Sequence, residues 1–244
     1  MAFLRYPVGC YLEVKMNSLR IPYALTQNKN IVNPRMANKD DKFFCPQCDS
    51  NVILKSGDIR QPHFAHKKDT ECSAESVIHA TAKKMIILAW KNSANMIDPR
   101  HDPFSPCGVS IFRKCPKCDK GAYGNVLVGD IGDIDNVKDE VGVGNYRVDV
   151  GFMSCGIPQY AIEVVHTHKV QSEKWDDFKK WKFPCVEVEC QHVIDRWNLS
   201  LQDPPSFRRL FLEPIQNNFN NDPILEQRYR YDCKHCNPEL FTIL

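Results

Sequence analysis

Net charge is nearly absent from this 244-residue chain: 32 Lys and Arg stand against 30 Asp and Glu, leaving +2. That excludes a protein that attracts nucleic acid through its overall field, so any such surface has to be a local patch. Long apolar runs are missing too. The longest, MIILAW at residues 85–90, falls well short of the ~18 consecutive apolar residues a membrane helix requires. The opening MAFLRYPVGC has neither the basic n-region nor the apolar h-region of a secretory signal. Low-complexity tracts are lacking, as is any fixed-period repeat beyond recurring Cys-x-x-Cys pairs. The expectation is a soluble protein of the cytoplasm, or of the host-cell interior if the source is viral, with no membrane partner.

What is present is ordinary for a globular protein, with one exception. Hydrophobic residues make up 43% and charged residues 25%, enough for one large domain or two modest ones with a real core. The exception is twelve cysteines. In a reducing compartment these are thiols or metal ligands rather than a disulfide framework. Six fall in three pairs, Cys45/Cys48, Cys115/Cys118 and Cys233/Cys236.

Three regions follow. Residues 1–72 are rich in turn formers and short β-like runs such as PYAL and NVILK, and read as a β-rich zinc-binding module. Residues 73–200 carry alternating helical and strand patterns, with a cysteine-containing insertion at about 101–145, and residues 201–244 form an extension with the last cysteine pair. SAESVIHATAKKMIILAW is a helix. Ile78, Ala82, Met85 and Ala89 make its apolar stripe, Ser73 its N-cap, and Glu75 lies in its first turn. YRVDVGFM and QYAIEVVHT are two strands joined by a short SCGIP turn, antiparallel by the brevity of that connection. SEKWDDFKKWK is a short helix opened by Ser172, with Trp175, Phe178 and the Lys182 stem on one side. FPCVEVECQHVI reads as a third strand. The layout predicts a mixed α/β (α+β) fold, a central mixed sheet with helices packed on it.

The first cysteine module supplies Cys45, Cys48, His63, His66 and Cys72, five candidates for four tetrahedral seats. Thiolates and imidazoles at this spacing suit structural zinc. A thiol redox motif would instead open a helix after a strand and needs no downstream His/Cys set. A second zinc would draw on Cys107, Cys115 and Cys118, with His101 or Cys155 as fourth ligand. A third would use Cys233 and Cys236 with Cys190, His192 or His235. One to three zinc ions are thus open, and Cys10, Cys155 and Cys185 also read as buried thiols.

Asp149 and Glu163 interrupt apolar strands in consecutive elements. If those strands pair, the two carboxylates lie side by side, where they repel unless a cation sits between them or one stays protonated. Oxygen ligands of this kind fit Mg²⁺ or Mn²⁺, and the alternative is a separate salt bridge for each acid, such as Asp149 with Arg147. Glu75, His79 and Lys83 recur at four-residue steps along one line of the first helix, which an ordinary solvated face would also explain. Thr167, His168 and Lys174 cluster after the second strand. His168 is a candidate to orient water or phosphate and Lys174 to stabilise phosphoryl charge, while His166 faces outward. GDIGDIDNVKDE lacks the glycine and terminal-glutamate spacing of a calcium loop.

FFCPQC, QPHFAH and ESVIHATAK together resemble the zinc module and first helix of competence protein CoiA-like proteins. RVDV…AIEVVHTH…K resembles the PD-(D/E)xK, restriction-endonuclease-like core that follows, so the resemblance spans roughly residues 40–190. It implies a central mixed sheet flanked by helices, zinc-ribbon-like cysteine modules, and Mg²⁺- or Mn²⁺-dependent phosphodiester hydrolysis in DNA. The substrate could be branched or single-stranded DNA in recombination, repair or processing, and a homodimer is open. Asp149 and Glu163 take the metal-binding acids and Glu75 the accessory acid. The superfamily carries a lysine two residues after the second acid, and here that position is Val165. His168, Lys174 and Lys83 are the candidates for the vacant role, and the alternative is a catalytically inactive nucleic-acid-binding module. In either case Arg60, Lys67 and Lys68 of the zinc module are candidate phosphate contacts.

Overall fold

A computed structural model of the chain describes residues 21–57, 61–67, 72–94, 108–114, 121–125, 134–166, 172–201 and 209–217. The chain divides into two compact units, Met1–Ala74 and Glu75–Leu244.

In the first unit the described residues form one antiparallel sheet of very short strands: β1 (Ala24–Leu25), β2 (Ile31–Val32), β3 (Phe43–Phe44), β4 (Asn51–Lys55) and β5 (His63–His66). The spatial order is β2-β1-β3-β4-β5. Among the described residues its buried apolar set is small, Ile21, Tyr23, Ala24, Leu25, Phe43, Val52 and Phe64 beside the thiol of Cys45, with the rings of Phe43 and Phe64 4.9 Å apart. So thin a core calls for a further constraint on the fold.

The second unit takes in α1 (Ala74–Ala94) from its second residue onward, and this helix buries Ile78, Ala82, Met85 and Ile86. Then come β6 (Val109–Lys114), β7 (Gly121–Asn125), β8 (Asn136–Val143), β9 (Tyr146–Ser154), β10 (Ile157–Val165), α2 (Ser172–Lys180), β11 (Cys185–Glu189), α3 (Cys190–Ser200), β12 (Leu210–Leu212) and β13 (Gln216–Asn217). They build a five-stranded sheet ordered β13-β11-β10-β9-β8 and a three-stranded sheet ordered β12-β6-β7. Strands β8, β9 and β10 form an antiparallel meander, while β11 runs parallel to β10 after the α2 crossover. The chain thus has the mixed α/β architecture expected from its patterning.

Two turns fix the meander. Between β9 and β10, Cys155 and Gly156 both have positive φ (50° and 79°), the conformation of a two-residue hairpin turn whose twist matches its strands. Between β8 and β9, Gly144 (φ 57°) lies under the Trp181 indole, where an added Cβ would stand 2.5 Å from the ring. Helix α2 drives Trp175 and Phe178 into a cluster with Val141, Val143, Ala161 and Cys185. That burial holds the crossover against the sheet and sets where its N-terminal turn, with Lys174, comes to rest.

Three sequence expectations change. The strand predicted across FPCVEVECQHVI ends at Glu189, and Cys190 opens α3 with Cys190, Val193, Ile194 and Trp197 buried at helical spacing. Lys182 lies beyond α2, exposed and with φ 54°, not on its buried side. Cys155 is an exposed turn residue rather than a buried thiol, whereas Cys185 is fully buried. Among the described residues no helix is long and apolar enough to cross a membrane.

Candidate metal centres

The first centre belongs to the sheet of the first unit. Cys45 follows β3 and begins a tight turn through Pro46 and Gln47 to Cys48. The turn is closed by Cys45 N–H donating to Ser50 O (2.9 Å) and Asp49 N–H to Cys45 O (3.0 Å), with Asp49 in the left-handed region (φ 56°). It turns both sulfurs the same way. His66 comes from the end of β5, and Cys72 precedes α1. The ligand atoms of Cys45, Cys48, His66 and Cys72 all lie within 4.8 Å of one another, a donor set that could hold a metal such as zinc.

Strand alternation decides between the two histidines. His63 and His66 are three residues apart, so they leave β5 on opposite faces. His66 Nε2 lies 3.4 Å from Cys48 Sγ, whereas His63 Nδ1 is bonded to its own neighbour, Gln61 O, at 3.0 Å. The two thiols differ in their readiness to ionise. Burial pushes the Cys45 thiol up to about 12, against the N–H groups of Cys48 and Gln47 that lower it. Burial also raises Cys48, but hydrogen bonds with the Ser50 hydroxyl and backbone, His66 and Cys72 outweigh it and bring the thiol down to about 6. Cys48 is therefore the more readily ionised of the two and the thiol on which a soft cation would first be caught.

The other cysteine sets are not assembled by the described residues. Cys107, Cys115, Cys118, Cys233 and Cys236 lie outside them, as do Cys10, His101 and His235. Cys190 is buried in α3, and His192 Nε2 accepts from Glu213 N–H at 2.9 Å.

The second centre is a row of acids across the five-stranded sheet. Ile162 pairs with Val150, so the next step of this antiparallel ladder sets Glu163 beside Asp149. Asp149 Oδ2 accepts from Val164 N–H (2.9 Å) and stands 3.2 Å from His79 Nε2, which also bonds Val164 O at 2.8 Å. Lys83 Nζ is 3.6 Å from Asp149 Oδ1 and bonds Glu140 of β8. Burial opposes ionisation of Asp149, yet His79, the Val164 N–H and Lys83 together hold its carboxyl below the usual range. Its hydrogen bond to Asp149 in turn raises His79. The i,i+4 line on α1 is thus turned toward Asp149 rather than solvated, at least for His79 and Lys83.

Glu163 is only 5% exposed. Its Oε2 pairs with Lys174 Nζ at 2.8 Å, and Lys174 also donates to Arg147 O at 2.6 Å. Its Oε1 is buried with no hydrogen-bond partner among the described residues. Burial, reinforced by the Asp149 charge and only partly offset by Lys174, pushes Glu163 up to about 7. Val165 is buried at the end of β10, where it can offer no charge. Helix α2 supplies the ammonium instead, from eleven positions after Glu163 in sequence.

The remaining candidates are placed less directly. Glu75 is exposed and meets His166 Nδ1 at 3.5 Å. His166 does face outward, but onto that carboxylate. Thr167 and His168 lie outside the described residues, as do Arg60 and Lys68, while Lys67 is exposed. Sequence reasoning missed two acids. Glu187 of β11 is wholly buried, and the alternation of VEVE that marks it as Glu163's analogue was visible. Glu140 has a left-handed backbone (φ 54°) and holds Lys83; nothing in its sequence context signals either.

Comparison with known proteins reaches the first centre only. Residues 25–75 match the family model described as "Competence protein CoiA, N-terminal domain". Competence protein CoiA of Bacillus subtilis (strain 168) is 35% identical over 57 residues, which is 22% of this chain and 15% of that protein. The chain therefore aligns with well under two thirds of that curated relative's length. No solved structure matches. The matched segment contains all four residues of the Cys/His cluster and stops before Asp149 and Glu163. Over residues 25–75, therefore, the chain is similar to the N-terminal domain of competence protein CoiA.

Proposed function

We propose that this chain is a Mg²⁺- or Mn²⁺-dependent nuclease that hydrolyses phosphodiester bonds in DNA, with a restriction-endonuclease-like core and a zinc-stapled N-terminal module. The observation that carries the reading is the meeting of Asp149, Glu163 and Lys174. Two carboxylates lie on adjacent strands and an ammonium pairs with the second, within the order helix, three-stranded meander, helix, parallel strand. The donors suit a hard divalent cation, because they are oxygens and because Glu163 Oε1 is a buried acceptor with no hydrogen-bond partner among the described residues. When bound, such an ion would polarise a phosphodiester and acidify a water.

The chain's own residues have separable tasks. Asp149 and Glu163 hold the cation. His79 and Lys83 keep Asp149 ionised and fix its orientation through Oδ2 and Oδ1. Lys174 stands where it can meet charge developing on the phosphate, the part a lysine at position 165 would have taken. Cys45, Cys48, His66 and Cys72 would hold structural zinc, and exposed Lys67 in the same module is a candidate phosphate contact, which would make binding salt-sensitive. Recombination, repair or processing of DNA inside the cell is the setting this reading suits.

A second reading, a nucleic-acid-binding module without catalysis, is favoured by the buried Val165. Purified protein incubated with plasmid, single-stranded and branched DNA in Mg²⁺ or Mn²⁺ separates the two. Cleavage lost in Asp149→Asn and Glu163→Gln supports the nuclease. Salt-sensitive binding without cleavage, unaltered by those changes, supports the second reading.

A further inference from the structure

Of the chain's four tryptophans, Trp90, Trp175 and Trp197 are 8%, 4% and 8% exposed, whereas Trp181 is 41% exposed. Its ring is nonetheless held in place. One edge lies over Gly144 of the β8–β9 turn, and the rings of Tyr146 and Phe178 stand 5.9 Å and 6.1 Å away. The backbone that carries it is fixed as well. Phe183 N–H donates to Phe178 O (2.9 Å) and Lys182 N–H to Lys179 O (3.1 Å), the paired bonds of a Schellman cap on α2. The apolar contact that accompanies such a cap is present, with Phe183 5.2 Å from Phe178. Glycine is the usual residue at the left-handed position of this cap, and here it is a lysine, Lys182 (φ 54°).

The surroundings of the indole are basic. Lys179, Lys180 and Lys182 are all exposed, as is Arg147 next to Tyr146 on β9. Asp177, the one acid within residues 177–183, accepts from the Tyr146 hydroxyl at 2.8 Å. Lys179 meets Asp176 at 3.7 Å in an exposed pair, a weak restraint. A net charge of +2 thus conceals a local cationic patch around an open aromatic ring. That patch is also aligned with the acid site. Lys174, Phe178 and Trp181 follow one another at i, i+4 and i+7, a single line along the helix. Lys174 Nζ lies 5.7 Å from the Phe178 ring centroid and pairs with Glu163. Seven helical residues set Trp181 roughly 10 Å along the axis from Lys174.

A rigid, half-open aromatic ring flanked by ammonium groups matches the two faces of an unpaired nucleic-acid strand, whose bases stack on the ring while its phosphates meet the cations. Bases inside a duplex are covered on both sides by their neighbours and offer no face. An acidic peptide would satisfy the lysines and leave the indole uncovered. We propose that Trp181 is a stacking platform for a base of single-stranded DNA, with Lys180 and Lys182 on the adjoining phosphates, leading the strand along α2 toward Lys174. The choice of DNA rests on the proposed nuclease reading, which this deepens by naming an unpaired strand as what the site takes.

Binding of fluorescein-labelled oligo-dT and of a blunt DNA duplex to the full zinc-loaded chain, followed by anisotropy without other divalent ions, tests this apart from cleavage. Trp181→Leu keeps bulk over Gly144 and removes the aromatic face. It should weaken oligo-dT about tenfold, with duplex affinity and the circular dichroism spectrum unchanged, and Trp181→Phe should keep most of the affinity. Lys180→Ala should lower the slope of log K against log salt by about 0.7, the share of one phosphate on a single strand. Unlabelled oligo-dT should quench the intrinsic emission of the wild type, and the duplex should not. Unchanged oligo-dT affinity in Trp181→Leu, or an equal loss on the duplex, would overturn the platform. Should that variant fail to fold, wild-type emission quenched by neither ligand, or equally by both, would overturn it too. A Trp181-dependent preference for oligo-U over oligo-dT would overturn the assignment to DNA. Oligo-dT held through Trp181 but left uncut in Mg²⁺ or Mn²⁺ would sink the nuclease and keep the platform. Oligo-dT cut and bound alike by wild type and Trp181→Leu would do the reverse.

Discussion

Glu163 and His66 carry the residue-scale argument, and both are decided by what lies beside them. A glutamate free in water titrates near 4.5, and here the value is about 7, chiefly because burial disfavours the charged form. The folded state binds this proton more tightly than the unfolded chain. Its contribution is therefore complete below about 4.5 and lost as pH rises through about 7. His79, raised by Asp149, acts in the same direction and is lost as pH climbs above the ordinary histidine range. Asp149, held low, contributes above its ordinary carboxyl value and is lost in stronger acid. Zinc-loaded protein freed of other divalent ions should thus melt highest in mild acid and lower toward pH 8. Glu163→Gln should flatten most of that slope, which is on the order of 3 kcal/mol at full extent. Melting curves by circular dichroism across pH 4.5 to 8 check this, and a slope unaltered by the substitution would contradict it. At the other centre, His66→Ala should lower zinc per chain in elemental analysis, whereas His63→Ala should leave it unchanged. Equal loss from both would contradict the assignment by strand face.

Helix α2 links packing to chemistry at the scale of the element. It spans only Ser172–Lys180 and is strongly polar except for Trp175 and Phe178, the two residues that anchor it to the sheet. Lys174 reaches Glu163 because those anchors hold the first turn over β10. Phe178→Ala should cost about 3–5 kcal/mol of stability and, under the proposed function, reduce DNA cleavage even where the fold persists, by letting the ammonium drift. Lys174→Met should reduce cleavage and, by leaving the Glu163 carboxylate buried without its ammonium, lower the melting temperature at neutral pH, whereas the double variant Lys174→Met/Glu163→Gln should recover most of the melting temperature and none of the cleavage. Cleavage assays paired with melts distinguish them: the loss of stability in Lys174→Met is reversed by neutralising Glu163, and that in Phe178→Ala is not. If Phe178→Ala unfolds only partly and cleaves as wild type, the positioning argument is wrong. Gly144 is a second such device, because any side chain there would meet Trp181 and strain a left-handed turn.

For the whole molecule, two compact units imply two sources of stability. Among its described residues the first has strands of two to five residues and few buried side chains, so a bound metal would supply much of its folding free energy. The second has a sizeable core of its own around β8 to β11. Chelation of zinc should therefore abolish one thermal transition and leave the other within a few degrees of its original position. Calorimetry with and without chelator reads this directly. A single transition insensitive to chelation would argue against a structural metal at Cys45, Cys48, His66 and Cys72.

The sequence by itself determined what depends on local spacing. The knuckle at Cys45 and Cys48, the apolar stripe of α1, the antiparallel pairing implied by a turn as short as SCGIP, and the pairing of Asp149 with Glu163 were all legible. Each is encoded within a few residues or by a short loop. Helix α3 was legible too, in the spacing of Cys190, Val193, Ile194 and Trp197, but the adjoining VEVE alternation masked where one period gave way to the other. Only the tertiary structure decided the rest. The choice of His66 over His63 follows from which face of β5 looks back at the cysteine turn. The ammonium beside Glu163 comes from a separate helix whose position depends on the burial of Trp175 and Phe178. Glu187 enters the acid row through the parallel register of β10 and β11. Register across a crossover and the resting place of a helix are sums over many distant contacts, and no short stretch of sequence carries them.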